Sequence, residues 1–293
     1  MLRGRYRVIV QTTYGGEPAR ALIALHARRS AASVSAFREA YPDRGIAVVL
    51  TGTDLYRDLP ASAGAKRSLA IADRIVTLQD DAPRMLPASL RRKCEVIFQS
   101  ARPLRKAAKP RGRLDCVVVG HLREEKDPET LFRALSEIPA QLPVRVRHIG
   151  AALDERLARG ARRLAQSDPR YRWIGPLPHG LARQALRRAH VLVHPSRMEG
   201  GANVIVEALA SGTPVIASRM SGNVGMLGRN YSGYFPVGDA SALAAALVKA
   251  CGDPGYLAAL RAQCDRRKAL FVPAEEAAAI RRLVAGLLRK ARG

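Results

Sequence analysis

Apolar residues fall in short unbroken runs that alternate with longer stretches in which apolar positions recur every three or four residues. The runs Tyr6 to Val10, Ala21 to Leu25, Ile46 to Leu50, Arg74 to Leu78 and Cys94 to Gln99 predict strands. Between them the spacing predicts a helix over Ala31 to Tyr41, with Ser30 as its N-cap, and another over Ala61 to Ala72. A basic, proline-containing stretch, Ser100 to Gly112, reads as a linker. A second series follows: strands at Cys116–Val119, Val144–Ile149, Tyr171–Ile174 and Val191–His194, and helices at Glu129–Ile138, Leu153–Gln166 and Leu181–Ala189. Ala240 to Arg267 and Ala274 to Arg292 are predicted helical. Strand and helix in strict alternation predict an α/β fold with parallel doubly wound sheets. The expected domains are 1–108 and 109–269, followed by a C-terminal helical segment, 270–293.

The densest chemistry lies between His194 and Ala217, which reads as strand end, glycine turn, helix, stop and strand. Asn203 is the predicted N-cap, Gly212 the stop and Pro214 the opening of the next strand. Gly200 and Gly201, followed by Ala202, Asn203 and Val204, would let a ligand approach backbone N–H groups at the positive end of a helix. An anion suits that place. Glu199 and Glu207 frame the turn, and carboxylates beside an anion site make sense only if they face hydroxyl groups. A nucleotide sugar supplies both: sugar hydroxyls for Glu199, ribose hydroxyls for Glu207, diphosphate between. The plainer alternative is a crossover helix with a solvated glutamate at each end. Against it, Glu207 interrupts an apolar run, where an unpartnered glutamate is rare.

In the first half, His26, Arg28, Arg29 and Ser30 stand where a strand ends and a helix begins, an anion site in outline or simply exposed arginines. Thr51, Thr53 and Asp54 follow a buried strand and are candidates to line a ligand crevice, with a local Asx-type cap by Asp54 as the alternative. Gly222 and Asn223 belong to a predicted glycine-rich turn, Ser221 to Gly228.

Composition narrows the picture further. A net charge of +24, from 49 Lys and Arg against 25 Asp and Glu, favours anionic ligands. The arginines are spread along the chain and only 5% of residues are aromatic, which argues against a single-strand nucleic-acid binder. The four cysteines show no paired spacing and read as reduced thiols of a cytoplasmic protein. No apolar run reaches the roughly 18 residues of a membrane span, so no stable membrane insertion is expected. His190 and His194 flank a probable strand with no third ligand nearby, and no Asp-x-Asp motif occurs, so no metal is expected.

The pattern from His194 to Ala217 resembles the donor site of retaining glycosyltransferases of family four. That resemblance implies the GT-B fold, two Rossmann-like domains facing across a cleft, with the last helix crossing back to the first domain. It also implies a strand, a glycine-rich loop and a helix ahead of Tyr6, so the first domain is expected to be shortened at its N-terminus. Gly120, His121, Arg123 and Lys126 resemble the family's diphosphate loop, although His121 stands where an arginine usually follows the glycine. The resemblance casts Glu199, Lys126, Arg123 and His26 as catalytic. Arg28, Arg29, Ser30, Thr51, Thr53 and Asp54 fall on the acceptor side. It implies a UDP-sugar as co-substrate, no other cofactor, no metal and no protein nucleophile.

Four segments, Ala24–Ser30, Leu50–Asp58, Gly120–Pro128 and Ser221–Gly228, together resemble one subfamily, the selenosugar synthases of selenoneine biosynthesis. That resemblance implies selenophosphate as acceptor and UDP-N-acetylglucosamine as donor. The competing expectations are an ordinary O-glycoside-forming transferase and, more remotely, a silent basic nucleic-acid-binding protein.

Overall fold

In the computed structural model, residues 1–105 and 107–290 are described, and the chain divides into two compact units. The first comprises Met1–Ser100, Glu199–Gly201 and the C-terminal segment from Pro273; the second comprises Ala101–Met198 and Ala202–Val272. The first boundary falls ahead of the expected residue 108 because Ala101 N already donates to Phe271 O, and Leu104 N to Ala210 O, within the second unit. The second boundary falls after Val272, not at residue 269, since the short turn Lys268–Phe271 still contributes the buried Phe271.

The first unit runs β1 (Ala21–Leu25), α1 (Ala31–Ala40), β2 (Gly45–Val49), α2 (Ala63–Ile71), β3 (Arg74–Thr77) and β4 (Cys94–Val96). Its four strands are parallel and lie in chain order. Val34 and Phe37 of α1 and Ala65 and Leu69 of α2 bury one face with Ile46, Val48 and Ile75.

The second unit runs β5 (Leu114–Val119), α3 (Pro128–Glu137), β6 (Val144–Ile149), α4 (Glu155–Ser167), β7 (Tyr171–Gly175), α5 (His179–Arg188) and β8 (Val191–His194). It continues with α6 (Asn203–Ala210), β9 (Val215–Ser218), α7 (Ser221–Leu227), β10 (Tyr234–Phe235), α8 (Ala240–Gly252) and α9 (Pro254–Arg267). The sheet is parallel in the order β10-β9-β8-β5-β6-β7. The chain therefore reverses its direction of winding between β5 and β8, and ligands of such sheets bind outside the strand ends at that switch point.

Helix α10 (Pro273–Lys290) belongs to the first unit. Its Leu283 and Leu287 close the sheet's other face with Ala47, Val76 and Ile97. Ser100 ties on as well, its N–H donating to Glu276 Oε2 at 3.0 Å. Ala291 and Arg292, predicted helical, lie outside the described residues.

Several expectations are corrected. Tyr6 to Val10 forms no strand: no described strand pairs with it, and Val10 is 80% exposed. Ser30 holds the N-cap position of α1, but its side chain makes no capping bond; its hydroxyl donates to Leu25 O at 2.7 Å instead. The helix expected from Ala61 begins at Ala63, where the Ser62 hydroxyl accepts from Ala65 N–H at 3.2 Å. Asn203 is the first residue of α6 rather than its cap, which is Ala202. Ser221 to Leu227 is a helix, not a turn, because apolar residues there find buried places. Ala240 to Arg267 is broken at Asp253-Pro254: proline cannot donate within a helix, and Asp253 caps the new one through Tyr256 N–H. No single helix among the described residues is long and apolar enough to cross a membrane.

At Gly45 the packing of α10 leaves no room: a Cβ would meet Leu287 O at 2.6 Å and Leu287 Cα at 2.7 Å. Gly45→Ala should destabilise the chain by about 1–3 kcal/mol, the usual cost of overpacking, as read from the shift in urea midpoint at constant m-value.

Candidate functional site

In the second unit the site is built on the loops that leave β5 and β8. Gly120 ends β5, and Lys126 folds its aliphatic stem over it, 3.4 Å from where a Cβ would stand. The neighbouring loop comes closer still, since a Cβ on Gly150 would collide with Gly120 O. Behind them His148 is buried, with Nε2 3.1 Å from Gly120 O and Nδ1 2.9 Å from the Tyr171 hydroxyl. A carbonyl can only accept, so Nε2 carries the hydrogen and Nδ1 accepts from Tyr171. Burial pushes the His148 pKa down to about 4 and the Tyr171 phenol upward, so both are neutral and the ring fixes the carbonyl that opens the loop. Neither residue was singled out in sequence; a histidine inside the alternating strand Val144–Ile149 is the one signal that could have found it.

His121 turns back, its Nδ1 accepting from Ala151 N–H at 3.0 Å. Arg123 is 45% exposed, with Glu125 no nearer than 3.9 Å, so it keeps the freedom to reach an anion. Asp127 adopts a left-handed backbone (φ 45°), held by the Thr130 hydroxyl at 2.7 Å and Arg197 Nε at 2.9 Å.

Helix α6 starts beyond β8, with Asn203 exposed and every residue from Val204 to Ala210 buried. Among these is Glu207, 7% exposed, whose Oε1 is bonded by His179 Nε2 from the start of α5. That partner explains how a carboxylate survives in an apolar helix. Gly222 and Asn223 were expected to face a donor. The structure buries Asn223 completely, with Nδ2 donating to Ser218 O at 2.9 Å and to the Ser218 hydroxyl at 3.1 Å. Its Oδ1, and the hydroxyl of fully buried Ser196, have no hydrogen-bond partner among the described residues. Such groups cost roughly 1–3 kcal/mol each until something bonds them. His190, set aside as a metal ligand, accepts from Asp115 N–H at 3.0 Å.

Glu199, Gly200 and Gly201 group with the first unit. A Cβ at Gly200 would collide with Gly52 N, and one at Gly201 would meet Leu78 Cβ at 2.7 Å, so both positions exclude a side chain.

The first unit gathers its candidates at the carboxyl ends of β1 and β2. His26 leaves β1 in the left-handed region (φ 75°), unusual for a residue with a side chain. Its Nδ1 lies 2.5 Å from Asp54 Oδ1, and its Nε2 lies 3.1 Å from the Thr53 hydroxyl and 3.5 Å from Asp58 Oδ2. Asp54 is completely buried and takes Thr51 N–H at 2.9 Å and the Thr51 hydroxyl at 3.1 Å on Oδ2. It therefore cannot contact an acceptor, as the sequence had suggested, because its oxygens are occupied from within. Asp58, not noticed in sequence, holds Arg28 Nε at 3.1 Å. Arg29 is exposed, and Ser30 is engaged with Leu25.

One atom each from His26, Asp54 and Asp58 lie within 4.8 Å of one another, a spacing a divalent cation could bridge. The contacts favour a hydrogen-bonded and ion-paired cluster instead, since Nδ1 is engaged by Asp54 and Asp58 faces a guanidinium.

Residues 113–253 match the family described as Glycosyl transferases group 1. Two curated relatives are a D-inositol 3-phosphate glycosyltransferase 2 from Catenulispora acidiphila and a D-inositol 3-phosphate glycosyltransferase from Corynebacterium kroppenstedtii. The first is 34% identical over 115 residues, 36% of this chain and 27% of the relative. The second is 33% identical over 144 residues, 46% of this chain and 32% of the relative. The matched region thus spans about a third or less of those relatives' own length. Among solved structures, Anabaena HepE in complex with UDP superposes with a TM-score of 0.72 at 15% identity, over 90% of this chain and 78% of that one. Sucrose-phosphate synthase from Thermosynechococcus elongatus gives 0.73 at 22% identity, over 92% and 74%. The fold is that of the GT-B glycosyltransferases, as the resemblance had implied.

The folded-state pKa of His148 lies below its unfolded value, so the folded protein binds fewer protons between about pH 6.5 and about pH 4. Stability from this residue is complete above that window and lost as pH falls through it, by on the order of 3 kcal/mol. Urea midpoints measured from pH 7.5 to 5 should therefore fall more steeply in the wild type than in His148→Gln.

Proposed function

We propose that the chain is a glycosyltransferase that uses a UDP-sugar and passes the sugar to selenophosphate. The observation that carries the donor half is Glu207, a nearly buried carboxylate in an apolar helix beside the sheet's switch point, whose remaining lone pairs suit a ribose diol. In this reading Gly200, Gly201, Ala202 and the first N–H groups of α6 take the diphosphate, while Arg123 and Lys126 neutralise it as it leaves. His121 is engaged with Ala151, which makes Arg123 the better stand-in for the family's arginine. Glu199 takes sugar hydroxyls, and Ser196 is a further polar group in want of a partner. Fixed cations aimed at developing charge lower the barrier.

On the acceptor side, Arg28 and Arg29 supply cations for a small, highly charged nucleophile. The step breaks the bond between the anomeric carbon and the UDP oxygen and forms a carbon–selenium bond. Water then cleaves the selenium–phosphorus bond, giving the selenosugar and phosphate. The four segments resembling selenosugar synthases support this acceptor. The curated relatives act, by name, with a phosphorylated inositol, which supports an anionic acceptor as the wider class.

The test is anaerobic incubation with UDP-N-acetylglucosamine and selenophosphate, following UDP release and product mass. A selenium-containing sugar is expected. Glu207→Ala should raise the KM for the UDP-sugar roughly 10- to 100-fold, the loss of one or two hydrogen bonds to a charged group. Lys126→Ala should lower kcat by roughly 10²–10³. UDP release with inositol phosphate or a sugar alcohol, but none with selenophosphate, would overturn the acceptor and keep the transferase. Absence of UDP binding would overturn both.

A further inference from the structure

We infer that Asp54 is the positioning residue of His26: it holds the ring with hydrogen on Nδ1 and so presents Nε2 as the working nitrogen. The inference rests on the transferase reading for its kinetic consequence, but its structural content stands on the first unit alone.

A ring nitrogen 2.5 Å from a carboxylate oxygen must carry the hydrogen between them. The Arg29 N–H also reaches this Nδ1, at 3.4 Å, and is the longer of its two contacts by 0.9 Å. Asp54 in turn is fixed by Thr51 N–H at 2.9 Å, the Thr51 hydroxyl at 3.1 Å and Arg28 N–H at 3.4 Å. All these neighbours are donors. A carboxylate accepts from all of them, whereas an asparagine would have to turn its NH₂ against at least one.

The backbone points the same way. His26 is held in the left-handed region, with its N–H on Val49 O and its carbonyl accepting from Ser30 N–H, at 2.9 and 3.0 Å. Strain of this kind, of order 1–3 kcal/mol, persists only where the surroundings enforce it. Here it aims the side chain at the loop after β2 instead of along β1. On the Nε2 side stand Thr53 and Asp58, and Asp58 also binds Arg28. The ring's two nitrogens are thus divided: one locked by a fully buried carboxylate, the other beside the cation assigned to the acceptor.

The tautomer is read directly from ¹⁵N–¹H spectra of the histidine rings, with His26 assigned by its disappearance in His26→Gln. Wild type should show an Nδ1-protonated ring with a strongly downfield proton. Asp54→Asn should lose that proton and shift the tautomer towards Nε2–H. With UDP-N-acetylglucosamine and selenophosphate, it should also lower kcat by roughly 10²-fold or more while the KM for the UDP-sugar changes less than about threefold, the pattern of a misassigned tautomer. Asp73→Asn, at a carboxylate paired with Arg38, should cost stability and leave the His26 ring signals in place. An Nε2-protonated wild-type ring, or an Asp54→Asn protein with unchanged ring signals, overturns the inference. Altered ring signals with unchanged kcat overturn its kinetic half. If the wild type turns over no sugar, the transferase reading falls, and the spectra alone decide whether Asp54 positions His26.

Discussion

A carboxyl group that leaves water must find partners inside the protein, and each unit of this chain places one at the carboxyl end of its parallel sheet. In the first it is Asp54, wholly enclosed by Thr51, the Arg28 backbone and His26. In the second it is Glu207, enclosed by the apolar face of α6 and bonded by His179. The two differ in the partner. His26 is itself buried, so its pairing is permanent, whereas the His179 side chain is 73% exposed and can yield to a ligand. Asp54 is therefore part of the scaffold, and Glu207 is a group that can exchange partners.

The second constraint is how closely the backbone must approach itself at these strand ends. Gly150 against Gly120, and Gly200 against Gly52, are contacts between main chains with no space for a methyl group. At the first of these His148 completes the job. It bonds the Gly120 carbonyl from beneath, and burial keeps the ring neutral, which leaves Nδ1 free to accept from the Tyr171 hydroxyl. A loop positioned by main-chain contact and one neutral histidine does not need the Arg123 guanidinium for its packing, and leaves it half-exposed for a ligand.

How much of this was legible in the sequence follows from which signals are local. Strand periodicity and breaker residues act within a few positions, so β1, β2, β6 and β8 were found within a residue or two. Tyr6 to Val10 has strand composition yet stays unpaired, because a strand exists only with a neighbour and pairing is not a local property. Ser221 to Gly228 looked like a turn for its three glycines; Val224, Met226 and Leu227 pack well enough as a helix to override that propensity. Glu207 was legible as an anomaly in an apolar run, but its partner His179 was not, lying 28 positions earlier in another helix. Asp58 was invisible for the same reason. Asp54 stood in sequence between a crevice role and a local one, since sequence marks a polar residue after a strand without saying whether its oxygens face solvent or the interior.

In the proposed reading, the charge balance of the first unit bears on what an acceptor can be. Arg28 is already paired with Asp58, so a ligand that uses this guanidinium must offer more than a single carboxylate does, or it will not replace the contact it disturbs. A neutral sugar alcohol gains nothing by the exchange. A tetrahedral anion with two or three charged oxygens does, because it can bond Arg28 in two places. In the proposed reading the carboxylate that guards the arginine thus acts as a threshold: it favours multiply charged acceptors over neutral ones without any contact to the acceptor's own scaffold.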